Sequence, residues 1–182
     1  GIMMWEDVPI QLVDLPPVSA DVFEPWVASL ARSADAALLV ADLGDDDLVE
    51  SARAVVDQLA RVHTELVPAG PEDHGDDERV IHVPTLLVVN KADDPLAALR
   101  LELLAEGFAG RFGAFGVSAE AGQGLDDLRR RVYDLLGVFR VYTKVPGKPA
   151  DRSRPFTLPI GSTVLDLARA VHRDFEHSLK SS

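Results

Sequence analysis

The stretch that most constrains the fold is TLLVVNKAD, residues 85–93, in which an apolar run without any charge ends abruptly in Asn90, Lys91 and Asp93. A short, continuous apolar run is typical of a strand buried on both faces, and such strands occur in parallel sheets covered by helices. The chain is therefore predicted to fold as an α/β domain in which a central strand delivers polar side chains to its carboxyl end.

Further apolar runs alternate with segments of helical spacing along residues 1–137. The alternation indicates a mostly parallel sheet with helices on both faces, whose strands carry Asp14, Asp42, Asn90 and Ser118 at their carboxyl ends, where ligands bind. Strands are predicted at residues 9–15, 36–43, 83–89 and 113–117, and helices at residues 23–32, 48–66, 94–107 and 125–136.

The pattern changes at about residue 138. Residues 138–145 alternate between apolar and polar, residues 156–160 form a second short run, and residues 164–175 have the spacing of an amphipathic helix. Two strands followed by a helix indicate the first part of a small α+β module. We therefore predict one domain over residues 1–137 and a second over residues 138–182.

Charge is unevenly distributed along the chain. The net charge is -12, yet residues 129–182 contain 11 Lys and Arg against 5 Asp and Glu. A basic surface attracts phosphate-rich partners such as structured RNA, although a solvated basic surface without a partner explains the same count. Because residues 1–128 are strongly acidic, with 25 Asp and Glu against 7 Lys and Arg, no DNA partner is expected.

The composition excludes several classes of function. The chain has no cysteine, which excludes disulfides, thiol catalysis and cysteine zinc sites, and its five histidines lack the spacing of a metal site. No apolar run approaches the roughly 20 residues that cross a bilayer, and the first residues lack the features of a secretion signal. We therefore expect no membrane association and a cytoplasmic location.

Asp93 has the chemistry to recognise guanine. A carboxylate accepts two parallel hydrogen bonds, and guanine presents its N1–H and its N2 amino group side by side, whereas adenine offers no such pair. Asn90 can tie neighbouring loops together through its amide, and Lys91 can lay its methylene stem across a base while its ammonium stays in water. The alternative is a polar strand end with a helix N-cap at Asp93 or Asp94.

Ser118 and Ala119 follow the next predicted strand. Small residues at this position allow a backbone N–H to approach the carbonyl of a base closely. An ordinary turn rich in Ser, Ala and Gly is the alternative interpretation of the same residues.

Asp14 is predicted to close the first strand, where an acid could order a magnesium-bound water. The following residues are Leu15, Pro16 and Pro17, and proline has no N–H to offer to a phosphate. The alternative for Asp14 is an acid at an ordinary turn.

These motifs, taken in order, resemble the Obg and DRG branch of GTPases that carry a C-terminal TGS domain, a ubiquitin-like β-grasp module. The resemblance rests on VPIQLVDLPP, TLLVVNKAD and FGVSAE, and on FRVYTKVPGKP leading into LPIGSTVLDLARAVHRDF. It covers nearly the whole chain. It implies a partial Ras-like P-loop GTPase domain followed by a partial TGS domain.

The resemblance also implies roles for individual residues. Asn90, Lys91 and Asp93 would read guanine, Ser118 and Ala119 would form the loop at the base carbonyl, and Asp14 would hold a magnesium-bound water. GTP or GDP with Mg²⁺ would be the ligands. A ribosome or structured RNA would be the partner, engaged through the basic C-terminal module.

The phosphate side of such a site is missing from the sequence, because no G-x-x-x-x-G-K-[ST] occurs in it. Pro17 also replaces the glycine of the family's Asp-x-x-Gly pattern. We expect the chain to be a piece of a longer regulatory GTPase that does not hydrolyse GTP by itself. The alternative is a non-catalytic adaptor on a degenerate GTPase domain, which binds RNA or a protein.

Overall fold

The computed structural model describes residues 1–19, 22–70, 77–108, 111–144, 147, 149–152 and 155–180, the last eight of these by their backbone only. These residues divide into two compact units, one formed by residues 14–135 and the other by residues 1–13 together with 136–182. In chain order the elements are β1 (Ile2–Trp5), β2 (Val8–Gln11), α1 (Pro25–Ser33), β3 (Ala37–Asp42), α2 (Leu48–Arg61), β4 (Thr64–Val67), β5 (Ile81–Asn90), α3 (Ala97–Gly107), β6 (Ala114–Gly116), α4 (Leu125–Leu135), β7 (Val138–Val141), β8 (Phe156–Pro159) and α5 (Val164–Lys180).

The sheet of the larger unit is built around β5, which pairs in parallel with β3, β4 and β6. Leu87, Val88 and Val89 are all buried, so consecutive residues of β5 are covered on both faces. Helices α1, α2 and α3 supply further apolar side chains to the same core, which includes Ala28, Leu48 and Leu104. The predicted α/β fold with a mostly parallel sheet is therefore confirmed.

The helix predicted at residues 48–66 is wrong in its last turn. Helix α2 ends at Arg61, and His63 then adopts a left-handed backbone with φ of 57°. Strand β4 follows and pairs with β5. The buried Leu66 fits a helical spacing from Leu59, and it fits a short strand equally well, so the apolar pattern alone could not locate the boundary.

The strand predicted at residues 9–15 is also corrected. Strand β2 ends at Gln11, and it pairs with β1 in an antiparallel hairpin rather than joining the parallel sheet. Val8 and Ile10 are buried while Pro9 and Gln11 are exposed, so the segment alternates as a half-buried strand does. Asp14 therefore lies three residues beyond the strand instead of closing it.

The smaller unit contains two antiparallel pairs, β1 with β2 and β7 with β8, followed by α5. Strand β7 ends at Val141, earlier than predicted, and residue 145 lies outside the described part of the chain. Helix α5 begins with a reciprocal cap, in which the Thr163 amide donates to the Asp166 carboxylate at 2.9 Å. The smaller unit includes residues 1–13, whereas the sequence predicted one domain over residues 1–137 and a second over residues 138–182. That domain division stays a prediction.

Among the described residues, no helix combines the length and the apolar character that crossing a membrane requires.

Candidate functional site

Asn90 is the last residue of β5 and connects three segments of the larger unit. Its side-chain Oδ1 accepts a hydrogen bond from the Ala119 amide at 3.0 Å. Its main-chain oxygen accepts the Leu43 amide, also at 3.0 Å. The loop after β3 and the loop after β6 are thereby held against the carboxyl end of the central strand.

Lys91, the residue directly after β5, has a left-handed backbone conformation. Its φ is 63°, in the left-handed region that non-glycine residues adopt at a cost of about 1 kcal/mol or more. The next residue returns to the sheet, because the Ala92 amide donates to the Val117 carbonyl at 2.9 Å. Lys91 is thus displaced from the strand direction at the point where the predicted site begins.

The Lys91 ammonium pairs with the carboxylate of Asp42, the last residue of β3, at 2.7 Å between Nζ and Oδ2. Asp42 and Asn90 are partners in the parallel register, which explains why the neighbouring lysine reaches this carboxylate. Hydrogen bonding to Lys91 lowers the pKa of Asp42, and hydrogen bonding to Asp42 raises the pKa of Lys91. Both groups therefore stay charged at neutral pH.

The Asp93 carboxylate is exposed and is oriented by the loop after β6. The hydroxyl of Ser118 donates to it and lowers its pKa, so the carboxylate is ionised at neutral pH and accepts hydrogen bonds only. Ser118 itself is fully buried, and its Oγ accepts the Ala121 amide at 3.1 Å. A buried residue thus interacts with an exposed acid and favours its ionised form.

The loop that carries Ser118 and Ala119 is closed by a tight turn. The Ser118 amide donates to the Gln123 carbonyl at 3.0 Å, and Gly124 has a φ of 76°. A Cβ on Gly124 would lie 2.9 Å from the Gly116 carbonyl oxygen, so this position has no room for a side chain. The predicted turn residues therefore hold Ala119 beside Asn90.

The structure brings five predicted site residues together at one end of β5. Asn90 contacts Ala119, Asp93 contacts Ser118, and Lys91 pairs with Asp42 of the neighbouring strand. The sequence predicts that a backbone N–H of the loop at Ser118 and Ala119 approaches a base carbonyl, and in this structure the Ala119 N–H donates to Asn90.

Asp14 and Pro17 are exposed and lie in a segment without regular secondary structure. Within the described ranges, no three His, Asp or Glu side chains are arranged to hold a metal ion. A single exposed carboxylate fits a water-mediated contact to magnesium, in which the direct ligands of the ion come from other groups.

Two features of the site were not recognised from the sequence. Asp42 was expected at a strand end, yet its pairing with Lys91 was not, because residues 49 positions apart give no spacing signal. Arg100 of α3 donates to the Leu43 carbonyl and pairs with Asp46. Arg100 thereby contacts the loop after β3 at two residues.

No family model matches the chain. Residues of this chain are similar to those of several curated proteins. An uncharacterized GTP-binding protein of Methanocaldococcus jannaschii is 31% identical over 105 residues, which make up 55% of this chain and 26% of that protein. An uncharacterized GTP-binding protein of Halobacterium salinarum is 36% identical over 47% of this chain and 24% of its own length.

The GTPase Obg of Desulforudis audaxviator is 39% identical over 83 residues, which are 45% of this chain and 20% of that protein. The chain thus spans about a quarter, or less, of the length of these relatives. Over about half of its own length, the chain is similar in sequence to proteins that are named for binding GTP.

Proposed function

We propose that the chain supplies the guanine-reading part of a guanine-nucleotide-binding protein related to the Obg and DRG GTPases with a TGS domain. The observation that carries the proposal is the convergence of Asn90, Lys91, Asp93, Ser118 and Ala119 at the carboxyl end of β5. Relatives named as GTP-binding proteins and as the GTPase Obg support it.

Recognition would depend mainly on the ionised Asp93. Its two oxygens would accept the N1–H and N2 amino protons of guanine, and adenine would leave both oxygens without a donor. Ser118 donates to the same carboxylate and favours its ionised form, which accepts these protons. The methylene stem of Lys91 would cover one face of the base, as its half-exposed position allows.

We propose further that GTP or GDP binds with Mg²⁺, and that residues 1–182 do not hydrolyse GTP by themselves. Phosphoryl transfer requires groups that cradle the β- and γ-phosphates, and these residues contain no G-x-x-x-x-G-K-[ST]. Asp14 would contact the ion through water. Pro17 has no N–H for the terminal phosphate.

For the whole protein we propose a regulatory GTPase that acts on ribosomes or structured RNA through a TGS module. The antiparallel pair β7–β8, followed by α5, supports the start of such a module. The excess of Lys and Arg over residues 129–182 supports a partner rich in phosphate.

The test of guanine recognition is Asp93→Asn in the complete gene product. An asparagine amide donates where the carboxylate accepted, and xanthine has a carbonyl oxygen where guanine has its N2 amino group. The variant should lose affinity for GDP and gain affinity for XDP, measured by calorimetry. Asp77→Asn is the matched control, because Asp77 pairs with Arg79 outside the site and should leave both affinities unchanged.

A second candidate, a non-catalytic adaptor, is favoured by Pro17 in place of glycine and by the lack of G-x-x-x-x-G-K-[ST] in these residues. It predicts a complete gene product that binds RNA or a protein and binds neither GDP nor GTP. Absence of GDP binding by the unmodified protein would decide for the adaptor. Unchanged nucleotide preference in Asp93→Asn would instead refute guanine recognition by Asp93.

A further inference from the structure

The loop between β3 and α2 lies against the guanine-reading residues through several contacts. The Leu43 amide donates to the Asn90 carbonyl at 3.0 Å, and the Leu43 carbonyl accepts from Arg100. The Asp42 carboxylate pairs with Lys91. The loop after β3 therefore contacts both the main chain of Asn90 and the side chain of Lys91.

The two oxygens of Asp42 have separate partners. Oδ1 accepts the Gly44 amide at 2.7 Å, and Oδ2 lies 2.7 Å from the Lys91 ammonium. The hydrogen bond from the Gly44 amide restrains the Asp42 carboxylate. The ion pair then places the Lys91 ammonium beside the second oxygen of that carboxylate. Lys91 and Asp42 are about half exposed, which limits the pair to a modest energetic contribution and leaves its directional effect intact.

Gly44 leaves space that the Lys91 side chain occupies. A Cβ placed on Gly44 would lie 3.0 Å from Lys91 Nζ and 3.2 Å from Lys91 Cδ. Both distances are shorter than ordinary van der Waals contact, so the lysine side chain would have to shift by a few tenths of an ångström. Gly44 does not have a left-handed backbone, so close approach of the lysine, rather than backbone conformation, accounts for the absence of a side chain here.

We propose that Asp42 and Gly44 are positioning residues for Lys91, holding its methylene stem where it covers a guanine base. This inference rests on the proposed function. Asp42 fixes the ammonium end of the side chain, and Gly44 provides the room for its stem. In this role both residues would act on the nucleotide through Lys91 and would not bind the base themselves.

The first experiment observes Lys91 without a nucleotide. In the complete gene product carrying ¹³C-dimethylated lysines, the Lys91 methyl signals are followed as the pH is raised, with Asp42 present and with Asp42 replaced. Asp42→Asn keeps an oxygen for the Gly44 amide and removes the charge that raises the pKa of Lys91, so the Lys91 signals should titrate at a lower pH in the variant. If the Lys91 signals titrated at the same pH with and without Asp42→Asn, the proposal would be overturned.

The second experiment is a double-mutant cycle on GDP affinity. Asp42→Asn should weaken GDP binding about two- to fivefold in the unmodified background, as expected for an exposed ion pair. It should have no effect in a Lys91→Ala background, because a residue that acts through Lys91 has nothing left to position. Equal losses in the two backgrounds would overturn the role.

Gly44→Ala and Gly113→Ala form a matched pair. An added Cβ meets Lys91 at Gly44, whereas at Gly113 no atom of the described residues, apart from the chain neighbours, lies within 4 Å of the corresponding position. Gly44→Ala should weaken GDP binding about tenfold, and Gly113→Ala should not change it. In an Asp93→Asn background, Gly44→Ala should weaken XDP binding by the same factor, because base coverage does not depend on which purine is read.

The outcomes separate the two proposals. If the unmodified protein fails to bind GDP, the proposed function fails and takes this positioning role with it. If Asp93→Asn exchanges guanine for xanthine while Gly44→Ala binds GDP normally, guanine recognition stands and the positioning role alone is refuted.

Discussion

Asn90 accepts the Ala119 amide proton through its side chain and the Leu43 amide proton through its main chain. Its side-chain oxygen thus already has a partner within the protein. Asp93, by contrast, is held by Ser118 and has an exposed carboxylate. At the scale of residues, the site therefore separates a side chain that supports the loops from a side chain that faces solvent.

Asn90→Ala should destabilise the larger unit. The change removes the acceptor of the Ala119 amide at a half-buried position, and the net loss of such a hydrogen bond is about 1 kcal/mol. Urea denaturation would measure it. Asn90→Asp retains an oxygen acceptor of the same shape and should lose less; equal destabilisation by both substitutions would contradict the assignment of this hydrogen bond.

Ser118→Ala should raise the pKa of Asp93 toward its ordinary value, because the Ser118 hydroxyl is the largest cause of the lowered pKa. A pKa that is lower in the folded state stabilises the fold above the unfolded pKa of 3.8, and this stabilisation is lost as the pH falls through the folded pKa. Carboxyl ¹³C shifts would follow the titration. Asp77, whose pKa is lowered by Arg79 instead, should titrate unchanged in the variant.

Residues of the site that follow an apolar strand were predictable from the sequence. Asn90 and Asp93 come directly after β5, and Ser118 comes after β6, where the carboxyl ends of parallel strands meet. The partner of Lys91 was not predictable, because the register that aligns Asp42 with Asn90 is a property of the sheet. The close approach of the Lys91 side chain to Gly44 was not predictable either, because the sequence does not reveal the positive φ of Lys91.

At the scale of elements, the sequence predicts a strand well when its apolar run has charged or turn-forming residues on both sides. Strand β5 is such a case. The boundary between α2 and β4 was missed, since His63 gives no sign of its left-handed backbone and Leu66 fits both periods. Strand β2 was assigned to the wrong sheet because its hairpin partner β1 precedes it without a turn sequence that the pattern could identify.

Thr163→Ala should loosen the first turn of α5. The Thr163 hydroxyl donates to Asp166 at 2.7 Å and also accepts the Asp166 amide at 3.4 Å, so the change removes half of a reciprocal cap. Amide exchange of the first turn should become roughly fivefold faster, as the loss of a typical N-cap predicts. The adjacent Ser162→Ala leaves the pair intact and should exchange at the original rate; equal acceleration by both variants would refute the cap.

At the scale of the whole molecule, residues 1–13 and 136–182 form one unit although 122 residues separate them in the sequence. Asp7 joins the two segments by accepting hydrogen bonds from Arg140 at 2.9 Å and from the Tyr142 hydroxyl at 2.8 Å. These bonds lower the pKa of Asp7 and raise the pKa of Tyr142. Sequence spacing gives no indication of such a contact, since each partner lies in a short, unremarkable polar segment.

Arg140→Ala should therefore weaken the smaller unit selectively. Asp7 would keep Tyr142 as a donor and lose the guanidinium, which is the largest cause of its lowered pKa. The stabilisation from this pair is present above the unfolded pKa of 3.8 and is lost as the pH falls through the folded pKa, so the variant should also show a weaker loss of stability in acid. Limited proteolysis at neutral pH, read by mass spectrometry, should show faster cleavage within residues 1–13 and 136–172 than within residues 14–135.

Arg129→Ala is the matched control for this prediction, because Arg129 pairs with Asp126 on the exposed surface of α4 in the larger unit. Removing an exposed pair one turn apart on a helix should change neither cleavage pattern nor acid sensitivity measurably. If Arg140→Ala accelerated cleavage equally in both units, its effect would not be selective for the smaller unit. The contacts of Asp7 with Arg140 and Tyr142 would then not be what stabilises that unit.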